Sequence, residues 1–225
     1  MITVDLFPTR VCVFEYTKSE QLKCLFNSKY KDLKYNEVGE QYGQNTFHHE
    51  QDLQQFYEFV VSCASQYLNS LNLNLDNFHI VIGKSWLSFV NPSNSVPKHN
   101  HADHHLSFTY YVELEIGSCD TLTFTDTRTN LNEPFYGAFN KGIGDPENIF
   151  EYNSYNCQNY SLNVKEGNLC IFPSKLDHSV YSSSSTNQRK CIAGDFLLVY
   201  KKCNLNNPWG LQPHGNWKYY ETKMD

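Results

Sequence analysis

The spacing of apolar residues changes near residue 77, from a helical pattern to alternation. Residues 49–71 repeat apolar side chains at i, i+3 and i+7, which predicts an amphipathic helix. Its apolar positions are Leu53, Phe56, Val60, Cys63, Ala64, Tyr67, Leu68 and Leu71. Before it, residues 2–16 alternate loosely and predict a strand, while residues 18–36 predict a short helix followed by a turn.

Short stretches with β-strand character follow one another after residue 77. The clearest is residues 105–115, in which apolar and polar side chains alternate. Its apolar face carries Leu106, Phe108, Tyr110, Val112 and Leu114, and its polar face carries Ser107, Thr109, Tyr111, Glu113 and Glu115. We expect the apolar face to rest on the helix and the polar face to look into a barrel. Further strands are predicted over residues 78–90, 121–126, 168–174, 178–182 and 190–200.

This order of elements predicts a mainly β fold with N-terminal helices, in which a sandwich or barrel is backed by helices. The sequence has no internal repeat and no Ser- or Pro-rich linker, so we expect one domain over residues 1–225. Residues 1–76 would give helical support, residues 77–200 the β core and residues 201–225 a tail. Residues 127–160 predict a long irregular loop, and loops of that length are usually functional or mobile. That loop is therefore a candidate lid.

Composition and charge narrow the class of protein. Hydrophobic residues make up 40% of the 225 residues and charged residues 19%, as in a folded globular chain. The net charge of −6 and the lack of a basic run mildly disfavour nucleic acid as a partner. The sequence contains neither a membrane-spanning apolar stretch nor a signal-peptide pattern. Eight cysteines stand singly, without a C-x-x-C pair, and predict reduced thiols in a cytoplasmic protein.

The segment "HNHADHH" places four histidines directly before the clearest strand. His99 and His101 are two residues apart, so in an extended chain both rings point to one side, about 6.6 Å apart. Together with His178 at the start of a later strand, they would form a facial triad that holds Fe(II) and leaves positions open. Asp103 shares their parity and is the alternative oxygen ligand to His101. An exposed polar loop or a zinc site is also compatible with this segment.

Arg189 follows His178 on the next predicted strand and is a candidate anion-binding residue. A guanidinium inside a barrel needs an anionic partner, and its planar fork suits a carboxylate. A dicarboxylate held by Arg189 at one end and chelating the metal at the other would satisfy both sites. Tyr111 points the same way as the two neighbouring histidines, so its hydroxyl could contact the same carboxylate.

At these residues the sequence resembles the 2-oxoglutarate- and Fe(II)-dependent oxygenases related to prolyl hydroxylases, especially a group widespread in marine phages and bacteria. The matching segments are "HNHADHHLSFTYYV", "GNLCIFPSKLDHSV" and "QRKC". The family pattern reads H-x-H, then L-S-G-x-Y-Y, then G-x-L-x-x-F-P-S, then H, then R about ten residues later. The resemblance covers residues 86–196, and three ordered segments together are far more specific than H-x-H alone.

The resemblance implies a double-stranded β-helix, or jelly-roll, fold backed by helices. It implies Fe(II) bound by His99 and His178, with His101 where related enzymes have Asp, and 2-oxoglutarate held by Arg189. It also implies a dioxygenase that uses O₂, releases succinate and CO₂, and hydroxylates a C–H bond. The primary substrate stays open among a protein side chain, a nucleobase and a small metabolite. If the gene is carried by a phage, the location would be the host cytoplasm.

Two residues depart from the family pattern, since Phe108 replaces the Gly after L-S and Cys191 replaces a common Ser, and His101 stands where prolyl hydroxylases have Asp. A neutral imidazole in place of a carboxylate raises the charge at the metal and changes its redox behaviour. Two other functions therefore stay open, a non-catalytic or hydrolytic metal protein of the cupin type and a structural β-sandwich. Only the oxygenase requires an inward-facing Arg189 beside the metal.

Overall fold

The mainly β architecture expected from the sequence is observed, as two antiparallel sheets with two α-helices. The computed structural model describes residues 1–3, 7–30, 45–92, 94–115, 122–128, 157–180 and 186–202. The predicted lid over residues 127–160 and the predicted tail over residues 201–225 lie almost wholly outside these ranges. The last two residues of the predicted loop are described and belong to a strand. Among the described residues, no helix is both long and apolar enough to span a membrane.

In the part of the chain that the structure describes, nine strands form the sheets, in chain order β1 Cys12–Glu15, β2 Phe78–Val90, β3 Val96–His99, β4 Leu106–Glu113, β5 Leu122–Thr125, β6 Asn159–Leu162, β7 Asn168–Pro173, β8 Asp177–Val180 and β9 Arg189–Tyr200. The major sheet has the order β1-β7-β4-β9-β2, and the minor sheet has the order β3-β8-β5-β6. The strands from β2 to β9 thus alternate between the two sheets, apart from β5 and β6, which pair with each other in the minor sheet. This is the double-sheet arrangement of a jelly roll, and it confirms the predicted fold class.

In the N-terminal region, the strand and the helices begin or end at other residues than the sequence predicts. Of the described residues in the strand expected over 2–16, only those of β1 pair in a sheet, and Phe7 has a φ of +57°, which interrupts an extended backbone. The helices are α1 Ser19–Lys29 and α2 Gln54–Asn69. The second begins later than residue 49 because the chain first makes two tight turns of 3-10 helix, at Phe47–His49 and Gln51–Leu53.

The helices cover the outer face of the major sheet, as the pattern of β4 predicts. The Phe56 ring of α2 lies 4.8 Å from the Tyr110 ring of β4, in an edge-to-face arrangement. All four apolar-face residues of β4, Leu106, Phe108, Tyr110 and Val112, belong to one buried cluster with side chains of both helices. This packing turns the opposite face of β4 towards the minor sheet.

The space between the sheets contains a second apolar cluster and several polar side chains. Tyr111 of β4 packs there with Phe124 of β5 and Phe172 of β7. Gly194 lets β9 run close to its neighbours, because a Cβ at this position would lie 2.6 Å from the carbonyl oxygen of Lys84 and 2.6 Å from the Phe108 ring. The residue after it, Asp195, is fully buried and faces this inter-sheet space.

Candidate metal centre

The structure brings together the three histidines that the sequence singled out. His99 ends β3 and is the register partner of His178 on β8. The backbone N–H of His101 donates to the Ser174 carbonyl over 2.8 Å, which folds the chain back towards them after β3 ends. One ring nitrogen of each imidazole lies within 4.8 Å of the corresponding nitrogens of the other two. Three neutral nitrogens at such separations could bind one metal ion.

Hydrogen bonds to the rings determine which nitrogen is available. The Nδ1 atom of His99 is 2.7 Å from the Pro97 carbonyl oxygen, and that of His178 is 2.9 Å from the Leu176 carbonyl oxygen. A carbonyl oxygen can only accept, so both Nδ1 atoms carry the proton and donate. The Nε2 atoms of His99 and His178 therefore keep their lone pairs, which is the tautomer that a metal ligand needs.

His178 is the most deeply buried of the three imidazoles. Its pKa is lowered to about 4, mainly by burial and to a smaller extent by the neighbouring His99 and His101, against the hydrogen bond to the Leu176 carbonyl, which acts in the opposite sense. Because the folded-state pKa is depressed, the ring stays neutral above about pH 4 and can act as a ligand at neutral pH. The Phe172 ring packs 4.9 Å from it on the interior side.

A polar contact joins the two ligand-bearing segments outside the cluster. Asn100, between His99 and His101, donates from Nδ2 to Oδ1 of Asp177 over 2.6 Å. Asp177 directly precedes His178. This bond and the register pairing of β3 with β8 therefore both act to keep the three rings together.

Asp195 contacts the cluster, and the sequence interpretation did not identify it. Its Oδ1 lies 2.6 Å from Nδ1 of His101 and accepts a hydrogen bond from Ser107 Oγ over 2.5 Å. Its Oδ2 forms an ion pair with Lys84 Nζ over 3.1 Å. Burial would raise the pKa of the Asp195 carboxyl, but the His101 and Ser107 hydrogen bonds and the Lys84 charge outweigh burial and lower it. Asp195 is thus an anion that holds the His101 ring with Nε2 free.

A signal for Asp195 was present in the sequence. It is the one acidic residue in the otherwise apolar run "CIAGDFLLVY", and a buried carboxylate requires partners. It lies an even number of residues after Arg189 on the same strand, so both side chains face the same side of β9. These two observations together would have placed a carboxylate inside the barrel.

The other polar residues of "HNHADHH" stay outside the cluster. Asp103, the alternative oxygen ligand, is exposed in a turn after β3 and is not brought to the histidines. His104 is half-buried, with Nδ1 3.9 Å from Asp195 Oδ2. His105 is exposed, and its Nδ1 accepts a hydrogen bond from the Leu198 backbone N–H over 3.0 Å. The extended conformation ends at His99, so the alternation of a strand does not bring Asp103 to the histidines.

Arg189 and Tyr111 meet in the same inter-sheet space. Arg189 is buried, with 5% of its surface exposed, and its guanidinium carbon lies 5.0 Å from the centre of the Tyr111 ring. Its Nε donates to Sγ of Cys191 over 3.2 Å. Cys191, which stands where the family pattern has Ser, is therefore in contact with the guanidinium. The arrangement presents a desolvated cation suited to a carboxylate.

Aromatic side chains form the walls beside the histidines. The Trp86 ring of β2 lies 5.5 Å from the His101 ring, and Phe124 of β5 lies 5.1 Å from Phe172. All three aromatic rings are more than nine-tenths buried. They limit the access of water to the cluster, which strengthens electrostatic interactions within it.

Comparison with known proteins points to one family. Residues 84–195, about half of the chain, match the family model described as "Putative 2OG-Fe(II) oxygenase". The matched range contains the three clustered histidines together with Tyr111, Arg189 and Asp195. No curated protein matches the chain.

Two of the similar solved structures support the fold. The α-ketoglutarate-dependent carbocyclase SnoK from nogalamycin biosynthesis has a TM-score of 0.59 at 10% identity, over 95% of this chain and 92% of that chain. A Pseudomonas putida prolyl-4-hydroxylase has a TM-score of 0.50 at 11% identity, over 84% of this chain and 92% of that chain. A 2OG-Fe(II) oxygenase family oxidoreductase from Burkholderia pseudomallei matches at 9% identity and a TM-score of 0.37, over 53% of this chain, and the chain spans 46% of its length.

Proposed function

We propose that the chain, which belongs to the 2OG-Fe(II) oxygenase family, is a 2-oxoglutarate-dependent dioxygenase with one domain over residues 1–225. In this proposal Fe(II) is held by His99, His101 and His178, and 2-oxoglutarate by Arg189 and Tyr111. The observation that supports it most is the convergence of three imidazoles in the inter-sheet space that also contains a buried guanidinium.

The donor set fits ferrous iron. Imidazole nitrogens suit Fe, Zn, Ni and Cu, and three of them on one side leave positions open for further ligands. Two of the rings have Nδ1 engaged by carbonyl oxygens and the third by a carboxylate, so each offers Nε2. Family membership selects iron among these metals. When bound, Fe(II) supplies the oxidising chemistry in which O₂ and 2-oxoglutarate are consumed and succinate and CO₂ are released.

The protein's own residues bind and orient the reactants. Arg189 would hold the far carboxylate of 2-oxoglutarate through its planar fork, with the Tyr111 hydroxyl as a second donor. Burial makes each of these hydrogen bonds stronger than it would be in water. Phe172 and Trp86, which pack against His178 and His101, would exclude bulk water from the reacting groups.

The reaction proposed is hydroxylation of a C–H bond in a substrate not yet identified. Its support is the likeness of the histidine and arginine segments to prolyl hydroxylases, and the fold alone does not select it. SnoK is a carbocyclase and the Pseudomonas putida protein is a prolyl-4-hydroxylase, although both share this fold. A protein side chain, a nucleobase and a small metabolite are the candidate substrates to screen.

Anaerobic addition of Fe(II) and 2-oxoglutarate is expected to produce a weak visible charge-transfer band. The band requires both ligands on one centre, so Fe(II) alone or 2-oxoglutarate alone should give none. On admission of O₂, candidate substrates are expected to increase succinate formation. If no band forms at saturating concentrations and no succinate appears, the chain is a metal protein without this activity. If no metal binds, it is a structural sandwich.

A further inference from the structure

The cluster of three histidines contacts a carboxylate that is not one of its candidate ligands. Asp195 has no exposed surface, and its Oδ1 is 2.6 Å from Nδ1 of His101. The same oxygen accepts the hydroxyl of Ser107 over 2.5 Å. The Oγ atom of Ser107 also lies 3.0 Å from Oγ of Ser174. The carboxylate is therefore held in one orientation by β4 and by the turn after β7.

His101 differs from the other two histidines in what engages its Nδ1 atom. His99 and His178 donate to neutral backbone carbonyls, whereas His101 faces a carboxylate. A carboxylate partner fixes the tautomer and also makes the opposite ring nitrogen a stronger electron donor. His101 is also the residue that stands where related enzymes have an aspartate ligand. The ligand set thus lacks a carboxylate, but Asp195 places a negative charge within one hydrogen bond of the His101 ring.

Lys84 contacts the other oxygen of the same carboxylate. Its Nζ lies 3.1 Å from Asp195 Oδ2, and it sits 5.4 Å from the centre of the Trp86 ring. A cation at this position withdraws negative charge from Asp195 and so opposes its effect on His101. The two side chains should therefore influence the metal in opposite directions.

We propose that Asp195 is a positioning residue that fixes His101 as an Nε2 donor. Through the His101 ring, Asp195 supplies the metal with the negative charge that an aspartate ligand would carry. Lys84 limits this effect of Asp195. This inference rests on the proposed function, because it requires a metal at the histidines. It explains how a ligand set of three neutral imidazoles can serve in a family whose relatives use a carboxylate.

Two substitutions separate the charge of Asp195 from its shape. Asp195→Asn keeps the size of the side chain and can still accept from Ser107, but it removes the charge. Lys84→Met keeps an unbranched stem over Trp86 and removes the opposing cation. A purely structural role for this group predicts that both substitutions weaken metal binding, whereas the electronic role predicts opposite effects.

The test is an anaerobic titration of each full-length variant with Ni²⁺ by calorimetry, together with the visible band formed by Fe(II) and 2-oxoglutarate. We expect Asp195→Asn to bind Ni²⁺ about 10- to 100-fold more weakly and to move the band to shorter wavelength. We expect Lys84→Met to bind Ni²⁺ as tightly as the wild type or more tightly, with the band at longer wavelength. Ser107→Ala, which keeps the charge, should weaken binding less than Asp195→Asn.

The possible outcomes distinguish a failure of the role of Asp195 from a failure of the proposed function. If the wild type binds Ni²⁺ at the histidines and Asp195→Asn binds it equally well, the role of Asp195 is refuted and the metal centre stands. If Lys84→Met weakens binding to the same degree as Asp195→Asn, the group is structural and the inference is refuted. If the wild type binds no metal at the histidines, the proposed function and the inference fail together.

Discussion

Replacing His178 by Ala is expected to abolish Fe(II) binding and all turnover of 2-oxoglutarate. His178 is the proposed ligand that comes from a distant strand, and its ring lies at a centroid distance of 4.3 Å from that of His99. Without it, two imidazoles from one short segment remain, and two ligands do not hold a ferrous ion at micromolar concentrations. Substitutions of residues that only support the ligands reduce metal affinity by up to about 100-fold. We expect the loss of a ligand itself to reduce it by more than that. Calorimetric titration with Ni²⁺ measures this directly.

The same substitution has a separate effect on stability that must be measured. The imidazole packs against Phe172, so truncation leaves a small cavity, at a cost of roughly 1–3 kcal/mol in the free energy of unfolding. Thermal unfolding of the metal-free variant reports this cost, and His178→Gln provides a less disruptive version. His49→Ala, at an exposed position, is the matched control and should bind metal normally. Retention of wild-type metal affinity by a folded His178→Ala protein would show that the triad is assigned wrongly.

Replacing Arg189 by Leu is expected to raise the concentration of 2-oxoglutarate needed for turnover by about 30- to 1000-fold. Removing one partner of a buried, hydrogen-bonded charge pair costs about 2–4 kcal/mol, which corresponds to that range. The metal affinity should change little, because Arg189 contacts Tyr111 and Cys191 and is not one of the proposed metal ligands. Arg189→Lys keeps the charge without the planar fork, so an intermediate loss is expected.

Steady-state measurements of KM for 2-oxoglutarate and of Ni²⁺ affinity check this prediction together. Arg10→Leu is the control, since it makes the same chemical change at an exposed residue whose guanidinium donates to the Ser70 carbonyl. An unchanged KM for 2-oxoglutarate in Arg189→Leu would refute the assignment of Arg189. A parallel loss of metal affinity would instead mean that the substitution disturbs the whole inter-sheet space.

Strand geometry led us to expect His99 and His101 together, because residues two apart on an extended chain share a face. The extended chain ends at His99, however, and the hydrogen bond from the His101 backbone N–H to the Ser174 carbonyl brings His101 back to the cluster. The chain turns after His99, so strand geometry does not bring Asp103 there either. The sequence shows where polar residues interrupt a strand, but it does not show which residue is the last extended one.

The partners of Asp195 could not be derived from local spacing, because they are distant in the chain. Ser107 is its register partner across β4 and β9, and His101 lies 94 residues before it. Only the pairing of those two strands brings the three side chains together. The alternation of β4 did predict which face packs on α2, because that pattern depends on side-chain hydrophobicity alone. The start of α2 was misplaced because tight turns of 3-10 helix resemble the first turn of an α-helix in sequence.

In the proposed centre, three imidazoles bind one metal ion in the space where Arg189 holds the co-substrate. An anaerobic crystal structure of the chain with Fe(II) and 2-oxoglutarate tests it most directly. We expect one ring nitrogen each of His99, His101 and His178 on the metal, and a carboxylate of 2-oxoglutarate paired with the Arg189 guanidinium. A metal bound elsewhere, or a carboxylate held by a different cation while Arg189 stays apart, would contradict this account.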